Sequence, residues 1–241
     1  REVDGEVDVP LLRRMIVHVA EDSADVPAEG AAPVPLAARA AAGREADDVL
    51  RALVFCQHDC FRAEKHLVSS RKWLDEYKPA AIRPADVANS LPSRCWVLGG
   101  LSRVGWRILE CRVNRWKPDE YDVAEHQRLI GYLFHHAVRS TPGADRFCVL
   151  FDMSGWHLGF ASPHCNSMVF AMIGVAQGAY CERLGVALVF NVPFLFRATW
   201  AIIKPLLDQR TPSRVFLYGR NDWQAAMAEA VDDANRPVDM G

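Results

Sequence analysis

Asp152, Ser154, His157 and His164 bring a carboxylate, a hydroxyl and two imidazoles into one short stretch, and these are the parts of a nucleophilic hydrolase. The spacing does not demand a triad. No G-x-S-x-G elbow surrounds Ser154, and an Asp followed by Ser-Gly at a strand end is ordinary turn chemistry. No G-x-G-x-x-G and no phosphate-cradling P-loop occurs. Cysteines stand at 56, 60, 95, 111, 148, 165 and 181 with no C-x-x-C. Cys56 and Cys60 have no second pair to complete zinc-ligand spacing. His135 and His136 are adjacent on a helical segment, where neighbouring side chains diverge by about 100°. The sequence thus predicts no catalytic residue, no metal site and no cofactor, and the chain is expected not to be an enzyme.

What the sequence does supply is apolar surface held by regular elements. Val186 to Val192 reads as a strand buried on both faces, stopped by Asn191-Val192-Pro193. Phe194 to Leu207 follows at helical spacing. Phe196, Trp200, Ile203 and Leu207 form one stripe, widened by Leu195, Ile202 and Leu206. Such a helix is apolar around most of its circumference and must be covered by protein, membrane or ligand. Asp208 to Pro212 breaks it, and Arg214 to Tyr218 reads as the next strand. Upstream, Cys95 to Leu98, Arg107 to Val113 and Phe147 to Met153 are strand candidates. Glu125 to Arg139 and Pro163 to Tyr180 are predicted helices, the second facing the core with Val169, Met172, Ile173 and Ala176. Helical crossovers between buried strands imply parallel pairing, so the fold class is α/β, with a mainly parallel sheet floor and flanking helices. Asp222 to Ala234 reads as a closing helix.

The chain has 241 residues, half of them hydrophobic, and a net charge of -2, which argues against a nucleic-acid partner. Residues 1–48 carry 11 acids and 5 bases (net -6), which leaves 19 acids and 23 bases (net +4) for the remainder. A mildly basic body suits an anionic membrane surface or a phosphorylated headgroup, and also falls within ordinary variation. Three regions are expected: a linker-like N-terminal segment over 1–43, a helical module over 44–80, and the main domain over 83–241. Pro10 to Val19 is read as a short amphipathic turn or strand, and Asp22 to Gly43 as a flexible Ala/Pro/Gly-rich linker. No apolar run approaches about 18 residues, and the unpaired cysteines suit a reducing compartment. The chain is therefore expected to be soluble and intracellular. It lacks an initiator Met and is read as a fragment at its N-terminus.

Glu182-Arg183-Leu184-Gly185, Asn191-Val192-Pro193-Phe194, Trp200, Ile203-Lys204-Pro205-Leu206-Leu207 and Thr211-Pro212-Ser213-Arg214-Val215 follow one another in an order that resembles the signature of CRAL-TRIO (Sec-fourteen-like) lipid-binding domains. Phe147 to Gly155 is similar to the strand and turn that precede it, Gly99 to Val113 to an earlier segment, and residues 45–78 to an N-terminal helical module. The resemblance covers about 190 residues. The chain departs from the pattern at Cys181, Ser102 and Trp106. It departs again at Val54 and Cys56, where the module often carries arginines.

The resemblance implies a hydrophobic pocket holding one amphipathic lipid under a mobile helix, here 194–207, hinged near Pro193 and Asp208. Phe194, Phe196, Trp200, Ile203, Leu207, Phe190, Val169 and Ile173 are the expected gate and pocket lining. Glu182, Thr211 and Arg214 match positions that contact inositol phosphate, which suits a carboxylate accepting from hydroxyls and a guanidinium and hydroxyl donating to phosphate. Read alone, Glu182 beside Arg183 fits a helix-end ion pair, Thr211 before Pro212 fits turn chemistry, and Arg214 fits a solvated strand-end charge. The implied function is binding and intermembrane transfer, or presentation, of phosphatidylinositol or a related phosphoinositide. The protein would be cytoplasmic and reversibly membrane-associated, with a possible protein partner at the N-terminal segment. Phe147 to Val149 offers none of the hydroxyls that phosphatidylcholine-binding members use. Two other readings stay open: a carrier of a small hydrophobic molecule (tocopherol-, retinoid- or sterol-like), and a non-transferring lipid-sensing module.

Overall fold

The computed structural model describes residues 47–139 and 145–237. The readings placed on Pro10 to Val19, on the 22–43 linker and on the Thr141-Pro142-Gly143 stop lie outside them.

Helical residues 47–55 (α1) reverse through Gln57 and His58, both at positive φ, into α2 (Cys60–Tyr77). Asp59 caps α2 by accepting from the Arg62 N–H at 3.0 Å, and Lys78 in the left-handed region ends it just before Pro79. Two ion pairs join this pair of helices to the rest. Arg51 meets Asp145 at 2.9 Å and Asp48 meets Arg183 at 2.8 Å. Trp73 and Leu74 pack onto the main core, the Trp73 ring standing edge-on to Tyr180.

The described residues form a five-stranded sheet in the order β1 (Trp96–Leu101), β2 (Arg107–Arg112), β3 (Phe147–Asp152), β4 (Leu184–Phe190), β5 (Val215–Leu217). β1 and β2 are antiparallel, and every later pairing is parallel. The crossovers are α3 (Val123–Arg139), α4 (Pro163–Gln177) and α5 (Phe196–Ile203), as helical connections between parallel strands require. α5 is shorter than the stripe over 194–207 suggests. Pro205 has no N–H to continue the ladder, so Lys204–Leu206 tightens into a 3-10 turn. The closing helix over 222–234 is reduced to α6 (Gln224–Ala230).

Strand periodicity divides the interior in two. Leu109, Phe147, Val149 and Ala187 face α3 and α4. Ile108, Cys148, Leu150, Val186, Leu188 and Phe190 face α6 and Trp106. The departure at Trp106 has a packing partner in the E-R-L-G stretch. A Cβ built on Gly185 would lie 2.3 Å from the Trp106 ring, so only glycine admits that ring against β4.

Candidate functional site

On the α3/α4 face the sheet does not close onto its helices. A cavity of about 240 Å³ lies between the sheet, α3, α4 and α5. Its floor is visible in the burial pattern. Val149, Ala187 and Val189 each keep 8 % of their surface accessible, whereas Leu150 and Leu188 on the other face keep none. Ile173 from α4 and Phe196 from α5 do the same at 8 %. Val169, Trp200, Ile203 and Leu207 complete the apolar wall.

Two of the predicted lining residues lie elsewhere. Phe190 is on the opposite face, packed on Tyr218 and Trp223. It shares the parity of Val186 and Leu188 and not that of Ala187 and Val189. Phe194 is 78 % exposed and stands outside the cavity with Arg197 over its ring. Nor is the gate helix covered all round, since Leu195, Ile202 and Leu206 are exposed beside Phe194. Its inner stripe closes the cavity while its outer stripe faces out.

Glu182, Thr211 and Arg214 all reach the cavity wall at the N-terminal ends of β4 and β5. Each is already engaged. Arg214 donates to Glu182 Oε2 at 2.7 Å and to the Leu184 carbonyl at 3.1 Å. The Thr211 hydroxyl donates to the Asp208 carboxylate, which also accepts from the Arg210 and Thr211 backbone N–H groups. Glu182 therefore pairs with Arg214 and not with its neighbour Arg183, which turns to Asp48 and the Asp145 carbonyl. Arg214 is buried, at 8 % exposure, and is not a solvated strand-end charge. Of the two expected hinges, Pro193 accepts from the Phe196 N–H, and the Asp208 N–H donates to the Gln177 side chain.

Several groups at this end were not legible beforehand. Arg51, one turn ahead of the unmatched Val54, is the buried cation of the N-terminal helices. Arg146 is 9 % exposed, and among the described residues its Nε and Nη1 have no hydrogen-bond partner. Burial, and then the Arg214 charge, push the Arg146 guanidinium below its ordinary pKa. Arg51, Arg146, Arg183 and Arg214 face Asp47, Asp48, Asp145 and Glu182, so four charges oppose four.

The Asp152 region is a turn. Asp152 Oδ1 accepts from the Ser154 N–H at 2.9 Å and from Asn191 Nδ2 at 2.8 Å, which holds Asn191 in its left-handed conformation. His157 Nδ1 accepts from the Gly159 N–H, and His164 Nε2 lies 2.9 Å from the Pro118 carbonyl. Each group is spent on local geometry, and no nucleophile and base face one another there.

The family profile described as CRAL/TRIO domain matches residues 93–241, more than half of the chain. Alpha-tocopherol transfer protein-like of Homo sapiens is 28 % identical over 179 residues, covering 71 % of this chain and 51 % of that protein. SEC14 cytosolic factor of Eremothecium gossypii is 31 % identical over 94 residues, covering 39 % of this chain and 30 % of that one. The chain spans about half the length of the first of these curated relatives. A crystal structure of Sfh5 superposes with a TM-score of 0.64 at 14 % identity, covering 96 % of this chain and 90 % of that one, a likeness of fold. With a mostly parallel sheet, a helix-covered cavity and a profile match running through both, this chain belongs to the CRAL/TRIO family of lipid-binding and lipid-transfer proteins.

Proposed function

We propose that this chain holds one lipid in the cavity beneath α5 and passes it between membranes, with phosphatidylinositol or a related phosphoinositide as cargo. One observation carries the headgroup assignment. In a mainly apolar cavity, Glu182, Asp208, Thr211 and Arg214 are gathered at one end. An entering phosphate would take the Arg214 fork from Glu182, and the freed carboxylate would accept from ring hydroxyls. The exposed row of Phe194, Leu195, Ile202 and Leu206 supports transient contact of the gate with a bilayer. No helix of the described residues is long and apolar enough to cross a membrane. Native mass spectrometry with lipid extraction tests the reading. A phosphatidylinositol mass is expected in the wild-type protein, lost in Thr211→Val, whose thermal midpoint falls by about 2–4 °C for the lost Asp208 hydrogen bond. A protein that stays empty after incubation with liposomes would sink it.

A compact neutral lipid is the second reading. The cavity volume of about 240 Å³ lies below the ~300–1,000 Å³ of pockets for drug-sized ligands. A two-chain phospholipid therefore needs α5 displaced, whereas a smaller molecule does not. The relative named as tocopherol transfer protein-like points the same way. Extraction of a neutral isoprenoid or sterol would favour this reading and release Glu182 and Arg214 from the headgroup role.

A further inference from the structure

The gate and the body of the protein meet at one polar side chain. Of the eight residues of α5, only Phe196 is buried. Among the described residues, no ion pair joins residues 194–207 to the rest of the chain, and one hydrogen bond reaches them from a distant element. It comes from Gln177, the last residue of α4, whose Nε2 donates to the Leu206 carbonyl at 2.9 Å. The Oε1 of the same amide accepts from the Asp208 N–H. The first bond lies at the surface and the second is half-buried.

Local sequence explains why both groups are open to a clasp. Pro205 ends the ladder of α5, and the turn that follows closes with the Leu207 N–H on the Lys204 carbonyl. The Leu206 carbonyl and the Asp208 N–H are left without a helical partner. A primary amide offers a donor and an acceptor side by side, so glutamine meets both, whereas glutamate could not donate and lysine could not accept. The two sides of the clasp differ in firmness. α4 is anchored in the interior through Met168, Ile173 and Val175. Just beyond it Tyr180, 5 % exposed, donates to the Gly131 carbonyl of α3 at 3.3 Å. Past the clasp, the Asp208 carboxylate accepts from the Arg210 and Thr211 N–H groups at 2.8 and 3.0 Å. An outward swing of α5 therefore carries the Leu206 carbonyl off Gln177 and turns the Asp208 N–H away from it. Both groups can then bond to water, so release costs the small net value of two hydrogen bonds and not that of buried orphans.

We propose that Gln177 is the latch of the gate, a positioning residue that holds α5 over the cavity through the Leu206 carbonyl and the Asp208 N–H and sets how often the cavity opens. The proposal rests on the lipid-carrier reading above, whichever lipid is carried. The latch is closed in the empty and the loaded protein alike, which gives it a kinetic signature. Loosening it speeds entry and exit by the same factor and leaves the equilibrium affinity where it was.

Gln177→Met, which keeps the length of the side chain, and Gln177→Ala, a good helix former, test it beside the wild type. Amide hydrogen exchange at Asp208, followed by NMR without added lipid, should speed up about tenfold in both variants. Loading of pyrene-labelled phosphatidylinositol, and its release to phosphatidylcholine vesicles, should each speed up several-fold at unchanged equilibrium binding. Asp208 exchange and transfer rates equal to those of the wild type in a folded variant would overturn the latch and leave the cavity standing. Weaker binding at an unchanged loading rate would also overturn it, Gln177 then being a contact of the lipid. A wild type that loads neither this probe nor a pyrene-labelled sterol would overturn the carrier reading, and the Asp208 exchange rate, read without lipid, would still test the latch.

Discussion

Arg214→Met tests whether the polar end of the cavity is a closed electrostatic unit. The two side chains are 4 % and 10 % exposed, and their bond is 2.7 Å long. Removing one partner leaves Glu182 buried at the cavity wall without its hydrogen-bonded cation, with the Arg146 charge as the nearby cation that remains. Breaking a buried pair in this way costs about 3–5 kcal/mol, because the Coulombic gain disappears while the desolvation cost remains. For a protein of this size, each kcal/mol shifts the thermal midpoint by about 2–4 °C, so a fall of roughly 6–20 °C is expected. Replacing both partners, as in Glu182→Leu/Arg214→Met, removes the desolvation cost as well and should return stability to within about 1 kcal/mol of the wild type. Thermal denaturation followed by circular dichroism reads both variants. A single variant as stable as the wild type, or a double variant as weak as the single, would refute the reasoning. The double variant is also the cleaner probe of cargo. If phosphatidylinositol is held by this end, loading disappears in a protein that is still folded, whereas a neutral lipid continues to load.

Four further outcomes follow from the same geometry. Gly185→Val drives a side chain into the Trp106 ring, 2.3 Å from the Cβ position, and should lower the urea midpoint by an amount equivalent to about 1–3 kcal/mol; an unchanged midpoint would mean that the ring moves aside freely. His126 is held neutral by burial, its pKa about 4 against the ordinary 6.5. The unfolded chain therefore takes up the proton first, and stability present above about pH 6.5 is lost as pH falls toward 4, by about 3 kcal/mol. His126→Phe should flatten that limb of the stability–pH curve, and parallel curves would contradict it. Phe194→Ser/Ile202→Ser should leave the fold within about 0.5 kcal/mol of wild type but reduce vesicle binding and lipid transfer several-fold; undiminished transfer would mean that the outer stripe of α5 does not meet the bilayer. Fluorescent phosphatidylcholine should exchange poorly, since Phe147, Cys148 and Val149 offer no hydroxyl, and exchange equal to that of phosphatidylinositol would overturn the expectation.

The α/β order, the parallel pairing from β2 onward and the greasy connection between β4 and β5 were legible in the sequence. They rest on local patterns: β-branched runs bounded by Pro and Gly, apolar residues at helical intervals, and crossovers too long for hairpins. The spaced motifs over 181–215 carried the family in the same way. Side-chain parity was not legible, because a strand buried on both faces has no polar residue to mark its sides. Phe190 was therefore set in the cavity when it belongs with Val186 and Leu188 on the other face. Only the tertiary structure decided partnership. Glu182 could meet Arg183 beside it in the chain, yet its charge is met by Arg214, 32 positions away, because β4 and β5 begin side by side. Trp116, Tyr121 and His126 show no motif at all. They meet because the turn after β2 folds back over the start of α3 and packs three polar groups together beside the cavity. Propensity and periodicity act between near neighbours in the chain, whereas burial and hydrogen bonding are settled by what the packed elements bring together in space.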